Sequence, residues 1–167
     1  KPRTRKHGSP CFVTLTYSGE YTERAQDLEQ TQKDWELYRR KIREIYGDLQ
    51  YIMVRELQTK NNRQAWHFHI LYFNMPWNNF QDFADAWGYS DNVDVERVKP
   101  GYQHTQRMAG YIAKYMGKSN DLSNTANKRL YTVSLNLLHP ETYTDPLDVH
   151  VLLSEIQRSH KSNTSHW

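Results

Sequence analysis

Two histidines one residue apart, His67-Phe68-His69, stand inside an apolar run from Trp66 to Phe73. Side chains alternate across a strand, so both imidazoles face one side while Phe68 packs into the other. Two imidazoles aimed together from a rigid strand make half of a metal site. The preceding strand-like run, Gln50 to Leu57, offers a carboxylate. If the turn between the runs centres on Asn61-Asn62, Glu56 falls opposite His67 on the same face. A Glu held on a buried strand is costly unless it meets something positive. Two His and one carboxylate leave coordination positions open, which suits Mn²⁺ or Mg²⁺ and phosphate oxygens. The plainer alternative pairs Glu56 with Arg55 or Arg63 at a sheet edge.

A second constellation runs from Tyr111 to Lys118. Tyr111 and Tyr115 are one helical turn apart and share a face. Lys114 and Lys118 each follow a tyrosine by three residues, while Ile112 and Met116 are rotated towards the core. A free phenol has a pKa of about 10 and needs help to act as a nucleophile at neutral pH. Nearby ammonium groups favour the phenolate, and a metal-polarised phosphate is the better electrophile. The alternative is ordinary packing, tyrosines with snorkelling lysines. Gly117-Lys118-Ser119 imitates the end of a phosphate-binding P-loop, but the motif requires glycine where Ile112 stands, and a helix precedes it instead of a strand.

These residues need elements to hold them. Phe12 to Tyr17 alternates β-branched and aromatic residues and reads as a strand. From about Thr22 to Tyr46, Leu28, Trp35, Tyr38, Ile42 and Ile45 form one stripe of an amphipathic helix, with Gly47 past its end. Its other face carries Arg39, Arg40, Lys41 and Arg43. Gln50–Leu57 and Trp66–Phe73 form an antiparallel hairpin. A helix over Trp77–Trp87 follows Pro76, then a strand over Asn92–Val98, a helix over Gln103–Lys118, a strand over Arg129–Asn136 and a short helix over Leu147–Gln157. The order β-α-β-β-α-β-α-β predicts an α+β fold, a mostly antiparallel sheet flanked by helices.

The chain of 167 residues fits a single domain over 1–167, with a basic arm over about 1–10 (Lys1, Arg3, Arg5, Lys6) and a loose tail over about 158–167. Twelve Tyr and five Trp argue against a disordered segment, while a mean hydropathy of −0.94 requires a very polar surface around the core. The surplus of 22 Lys and Arg over 19 Asp and Glu is compatible with nucleic acid without demanding it. Cys11 is the only cysteine, which excludes an intrachain disulfide and a cysteine-based zinc site. No apolar run approaches a membrane span and no signal peptide is recognised, so the expected location is the cytoplasm of a bacterial or host cell.

Together the sequence resembles the HUH superfamily of replication initiators, in the phage and plasmid branch with paired tyrosines. Phe12-Val13-Thr14-Leu15-Thr16 looks like that family's first motif, His67-Phe68-His69 its metal motif, and Tyr111 through Lys118 its Tyr-x-x-x-Tyr-x-x-Lys pattern. The resemblance implies a palm-like fold and a metal held by His67, His69 and Glu56, with Asp94 or Glu96 as alternative carboxylates. His104 is read as a polar surface residue. It further implies tyrosine attack on single-stranded DNA at a replication origin, a 5′-phosphotyrosine link, and a freed 3′-OH that primes rolling-circle synthesis. Some plasmid relatives carry Glu in place of Tyr111, which implies that Tyr115 cuts first. Host helicase and polymerase are the implied partners. A transposase of the same chemistry and a non-catalytic single-strand-binding module are the alternatives. A relaxase is disfavoured because the tyrosines follow the histidines.

Overall fold

The structure, a computed structural model, describes residues 8–59, 64–76, 79–90, 92–98, 106–114 and 130–137. All of them lie within the compact unit Lys1–Leu137. The N-terminal basic cluster, the Asn61-Asn62 turn, Arg63, His104, Tyr115, Met116, Lys118, the expected helix over 147–157 and the tail fall outside the described residues.

Among the described residues five strands form one sheet: β1 (Ser9–Leu15), β2 (Tyr51–Gln58), β3 (Ala65–Met75), β4 (Asp94–Arg97) and β5 (Tyr131–Val133). Their order is β4-β1-β3-β2-β5, and every pairing is antiparallel. The fold is α+β, as the alternation of patterns predicted. The histidine strand β3 is central, so both of its neighbours can present side chains beside His67 and His69.

The expected helix over 22–46 is broken in two: α1 (Thr22–Gln26) and α2 (Leu28–Tyr46). Asp27 takes an extended conformation between them, and its carboxylate accepts from the amides of Glu29 (2.8 Å) and Gln30 (3.0 Å). An aspartate N-cap followed by glutamine at the third helical position is a helix-start signature, and it overrides the apolar stripe that runs through it. The next helix, α3 (Phe80–Trp87), also starts later than expected, at an Asn79 cap instead of beside Pro76. It stops at Gly88, whose φ of 72° is the left-handed conformation glycine adopts without a Cβ penalty. The described part of the tyrosine helix, α4, covers 106–114.

Strand alternation sorts the core into two layers. Val13, Leu15, Met53, Phe68, Ile70 and Tyr72 meet α2 and α3 through Trp35, Tyr38, Phe83 and Trp87. Trp35 stacks on Phe68 at 6.1 Å between ring centroids. The residues between them point the other way, where Phe12, Val54 and Leu71 pack with Val98 and, from α4, Ile112. Helix α4 and the helix pair α2–α3 therefore cover opposite faces of the sheet.

Candidate active site beneath the tyrosine helix

The register of the hairpin places Glu56 opposite His67, Val54 opposite His69 and Arg55 opposite Phe68. Glu56, His67 and His69 thus share a face, and Arg55 lies on the other. On the outer side of β3, Thr14 of β1 is the partner of His69. Row by row, Thr14, His69 and Val54 stand side by side across the middle of the sheet.

The Glu56 carboxylate reaches along the sheet from its place opposite His67, and its Oε2 lies 3.1 Å from Nε2 of His69. The second ring nitrogen of His69, Nδ1, is 3.4 Å from the Thr14 hydroxyl. His69 is 5% exposed, and a buried imidazole in this position needs both nitrogens engaged. Alternation turns Glu56 and Arg55 to opposite faces, while Arg63, the other partner of the edge alternative, lies outside the described residues. His67 is half-buried and lines a polar cleft with Thr16, Gln58 and Asn92.

Above these residues sits α4. The Tyr111 ring meets His69 edge-on at 5.9 Å and Phe12 edge-on at 5.0 Å, and Phe12 in turn stacks on His69 at 6.0 Å. Ile112 is buried in the core cluster of this face, as the helical stripe predicted, and Lys114 is exposed. Phe12 on β1 supplies Tyr111 with an aromatic seat, and the tyrosine remains 38% exposed.

Among the described residues no group of three or more His, Cys, Asp or Glu side chains is arranged around one point for a metal. The pair that is assembled has suitable dimensions. Adjacent ligands of an octahedral ion with bonds of about 2.1 Å stand about 3.0 Å apart, against 3.1 Å between His69 Nε2 and Glu56 Oε2. One imidazole and one carboxylate, with a second imidazole on the same face, suit a borderline-to-hard divalent ion. Asp94 and Glu96 are exposed partners of Thr14 and Phe12 on β4, with β1 between them and His69. Glu56 is the carboxylate set against His69.

The second basic cluster does not serve this face. It belongs to α2 on the opposite layer, where Lys41 donates to the Ala86 carbonyl (3.2 Å) and Arg43 pairs with Asp48 (2.7 Å). Sequence reasoning had no role for Thr14 or Phe12 individually. Their parity in Phe12-Val13-Thr14-Leu15 was the available signal, since Val13 and Leu15 mark the buried face and leave Phe12 and Thr14 for the other.

Residues 10–120 match the family described as Replication-associated protein ORF2/G2P, and the chain belongs to that family. The match spans Thr14, Glu56, both histidines and both tyrosines. Among curated proteins and among solved structures nothing matches the chain. Among the described residues no helix is long and apolar enough to cross a membrane.

Proposed function

We propose that this member of the replication-associated family nicks and rejoins single-stranded DNA by tyrosine transesterification, and so starts rolling-circle replication at an origin. The observation that carries the reading is the contact of Tyr111 with His69. It sets the tyrosine helix on the one sheet face that holds His67, His69 and Glu56. Family membership supplies the replication context.

In this reading the phenolate oxygen of Tyr115 attacks the scissile phosphorus, the P–O3′ bond breaks, and the leaving oxygen takes up a proton as a free 3′-OH. The 5′ end stays on the protein as a phosphotyrosine ester. Tyr111, one turn earlier, makes the second transfer that closes the circle. Lys118 and Lys114 stabilise the phenolates electrostatically. Mn²⁺ or Mg²⁺, when held by His69, Glu56 and His67, would supply Lewis-acid polarisation of the phosphate. Thr14 fixes the His69 ring through Nδ1, leaving Nε2 to face the ligand position.

The test is a denaturing gel of the protein with labelled single-stranded DNA and Mn²⁺, followed by peptide mapping of the linked DNA. A covalent adduct on Tyr115 that is lost in chelator, in His69→Ala and in Tyr115→Phe supports the reading. Retention of DNA with no adduct under any metal would make the protein a binding module instead. An adduct that survives in the Tyr111→Phe, Tyr115→Phe double variant would remove the helix from the chemistry.

A further inference from the structure

The site face of the sheet continues past the histidines. Val54 stands between His69 on one side and Tyr131 of β5 on the other, since the register pairs Val54 with both. Directly opposed residues of an antiparallel pair point the same way, so Tyr131 lies on the face of His69 and Glu56. Its neighbour Thr132, paired with Met53, lines a cleft with Leu28, Gln32 and Glu36 of α2.

The row is unusual in its burial. Val54 is fully buried and His69 nearly so, yet Tyr131 is 41% exposed. A large ring held on a strand, half open to solvent, loses little conformational entropy when a flat partner covers it. Two strand spacings of about 4.8 Å put its Cα roughly 10 Å from that of His69. Even at the 3.4 Å rise of stacked bases, that distance is no more than about three nucleotides. In the sequence two cations, Lys128 and Arg129, precede Leu130 and Tyr131. An aromatic ring with neighbouring cations is the combination that binds single strands, stacking for the base and charge for the phosphate.

We propose that Tyr131 is a stacking platform for one nucleobase of single-stranded DNA, within about three nucleotides of the phosphate at His69. The proposal rests on the single-stranded DNA reading above, but not on cleavage. The platform is sequence-tolerant, because every base has a π-face, and it fixes the position of the strand across the sheet rather than the identity of the origin. It makes Tyr131 a positioning residue.

The experiment measures equilibrium binding of a fluorescent single-stranded oligonucleotide in chelator, so that no cutting occurs. An abasic site is moved through the oligonucleotide one position at a time. Wild type should show one position where base removal weakens binding about tenfold, in line with the loss of one stacked base. Tyr131→Ala should weaken binding of the intact oligonucleotide by a similar factor and abolish the abasic penalty at that position alone. Tyr131→Phe should keep both affinity and penalty. If Tyr131→Ala unfolds, Tyr131→Leu retains apolar bulk without the π-face and should behave as Ala was meant to. An abasic profile identical in wild type and Tyr131→Leu overturns the platform. Binding with the expected profile but no adduct when Mn²⁺ is restored overturns the nicking reading and leaves the platform standing. Failure of wild type to bind any single strand overturns both.

Discussion

The two faces of one sheet solve the problem of burying polar groups in different ways. On the α2–α3 face, Asp34 is 2% exposed and collects donors from every side. Arg24 donates through Nε (2.8 Å) and its terminal nitrogen (2.5 Å), Tyr17 through its hydroxyl (2.9 Å), and Gln30 and Tyr89 at 3.1 Å each. The guanidinium also lies over the Tyr89 ring, 4.7 Å from its centroid. Charge is balanced within the group, and the surrounding rings of Tyr17, Trp87 and Tyr89 pack edge-on or tilted. On the α4 face the central group is His69 with Glu56, whose Oε2 lies 3.1 Å from Nε2 of the imidazole. The Asp34 cluster ties α1, α2 and the Tyr89 ring together, whereas in the proposed function the His69–Glu56 pair beneath Tyr111 would meet a cation and a phosphate. Among the described residues the apolar cluster there comprises Phe12, Val54, Leu71, Val98 and Ile112. Among the described residues, one face carries the larger part of the core and the other carries the proposed site.

The contrast is broken most severely by removing the wedge of the first face. Trp35 is 1% exposed and contacts Tyr38, Tyr51 and Phe68 through its ring. Trp35→Ala should cost about 3–5 kcal/mol by transfer and cavity terms, which is a large part of a small domain's stability. Chemical denaturation should show the loss, with nicking and DNA binding falling together. The matching change on the other face is Glu56→Gln, which keeps volume and a hydrogen-bonding group but removes charge. It should reduce Mn²⁺ affinity at least tenfold, measured by calorimetry, while the thermal midpoint moves by only a few degrees. Unchanged Mn²⁺ affinity would return the ligand role to Asp94 or Glu96.

A pH titration sharpens the comparison from both ends. Burial alone would push the Asp34 carboxyl up, but the hydrogen bonds from Arg24, Tyr17, Gln30 and Tyr89 outweigh it and hold the group below its usual range. A folded pKa below the unfolded one gives stability that is present above about pH 4 and is lost as pH falls through the folded value. Burial, with Asp34 nearby, pushes the Tyr17 phenol up, and burial does the same to Tyr38 and Tyr72. A raised folded pKa gives stability that is present below about pH 10 and lost as pH climbs towards the folded values. Thermal midpoints measured from pH 3 to 11 should therefore form a plateau falling at both ends. Asp34→Asn should flatten the acid limb specifically. An unchanged acid limb in that variant would show that the cluster is not what acid attacks.

How much of this was legible in the sequence follows from which contacts are local. The Glu56–His67 register could be read because a short hairpin is nearly symmetric about its turn, so locating Asn61-Asn62 fixed every pair of β2 and β3. The facing of Ile112 followed from helical period alone. The break at Asp27 was present as an Asp-x-x-Gln signature, but the apolar stripe continued through it and concealed the cap. The Lys41 contact was not legible because its partner, the carbonyl of Ala86 in α3, is distant in the chain. The seat of Tyr111 on Phe12 joins residues about a hundred positions apart, and no spacing rule reaches that far. What sequence could establish was the side of each element; which neighbour met that side depended on strand order.

The smallest effect expected is also the finest test of the difference between the faces, and it concerns Thr14. Its hydroxyl lies 3.4 Å from His69 Nδ1, a long contact worth little to stability by itself. On the fold face, deleting one such marginal contact would be absorbed by the other donors around Asp34. On the site face the proposed role of the contact is to orient the ring, because a ring whose Nδ1 is engaged presents Nε2 towards Glu56. Thr14→Val preserves shape and strand propensity and removes only the hydroxyl. Stability should change by less than about 1 kcal/mol, whereas Mn²⁺ affinity and the rate of adduct formation should fall by about tenfold, the lower end for a residue that orients a ligand. Thr14→Ser, which restores the hydroxyl on a smaller side chain, should recover most of the loss. Equal Mn²⁺ affinity in wild type and Thr14→Val would mean that the ring is oriented by the Phe12 and Tyr111 contacts instead. Phe12→Leu, which keeps the bulk but removes the stacked ring, should then reproduce the tenfold deficit that Thr14→Val failed to show.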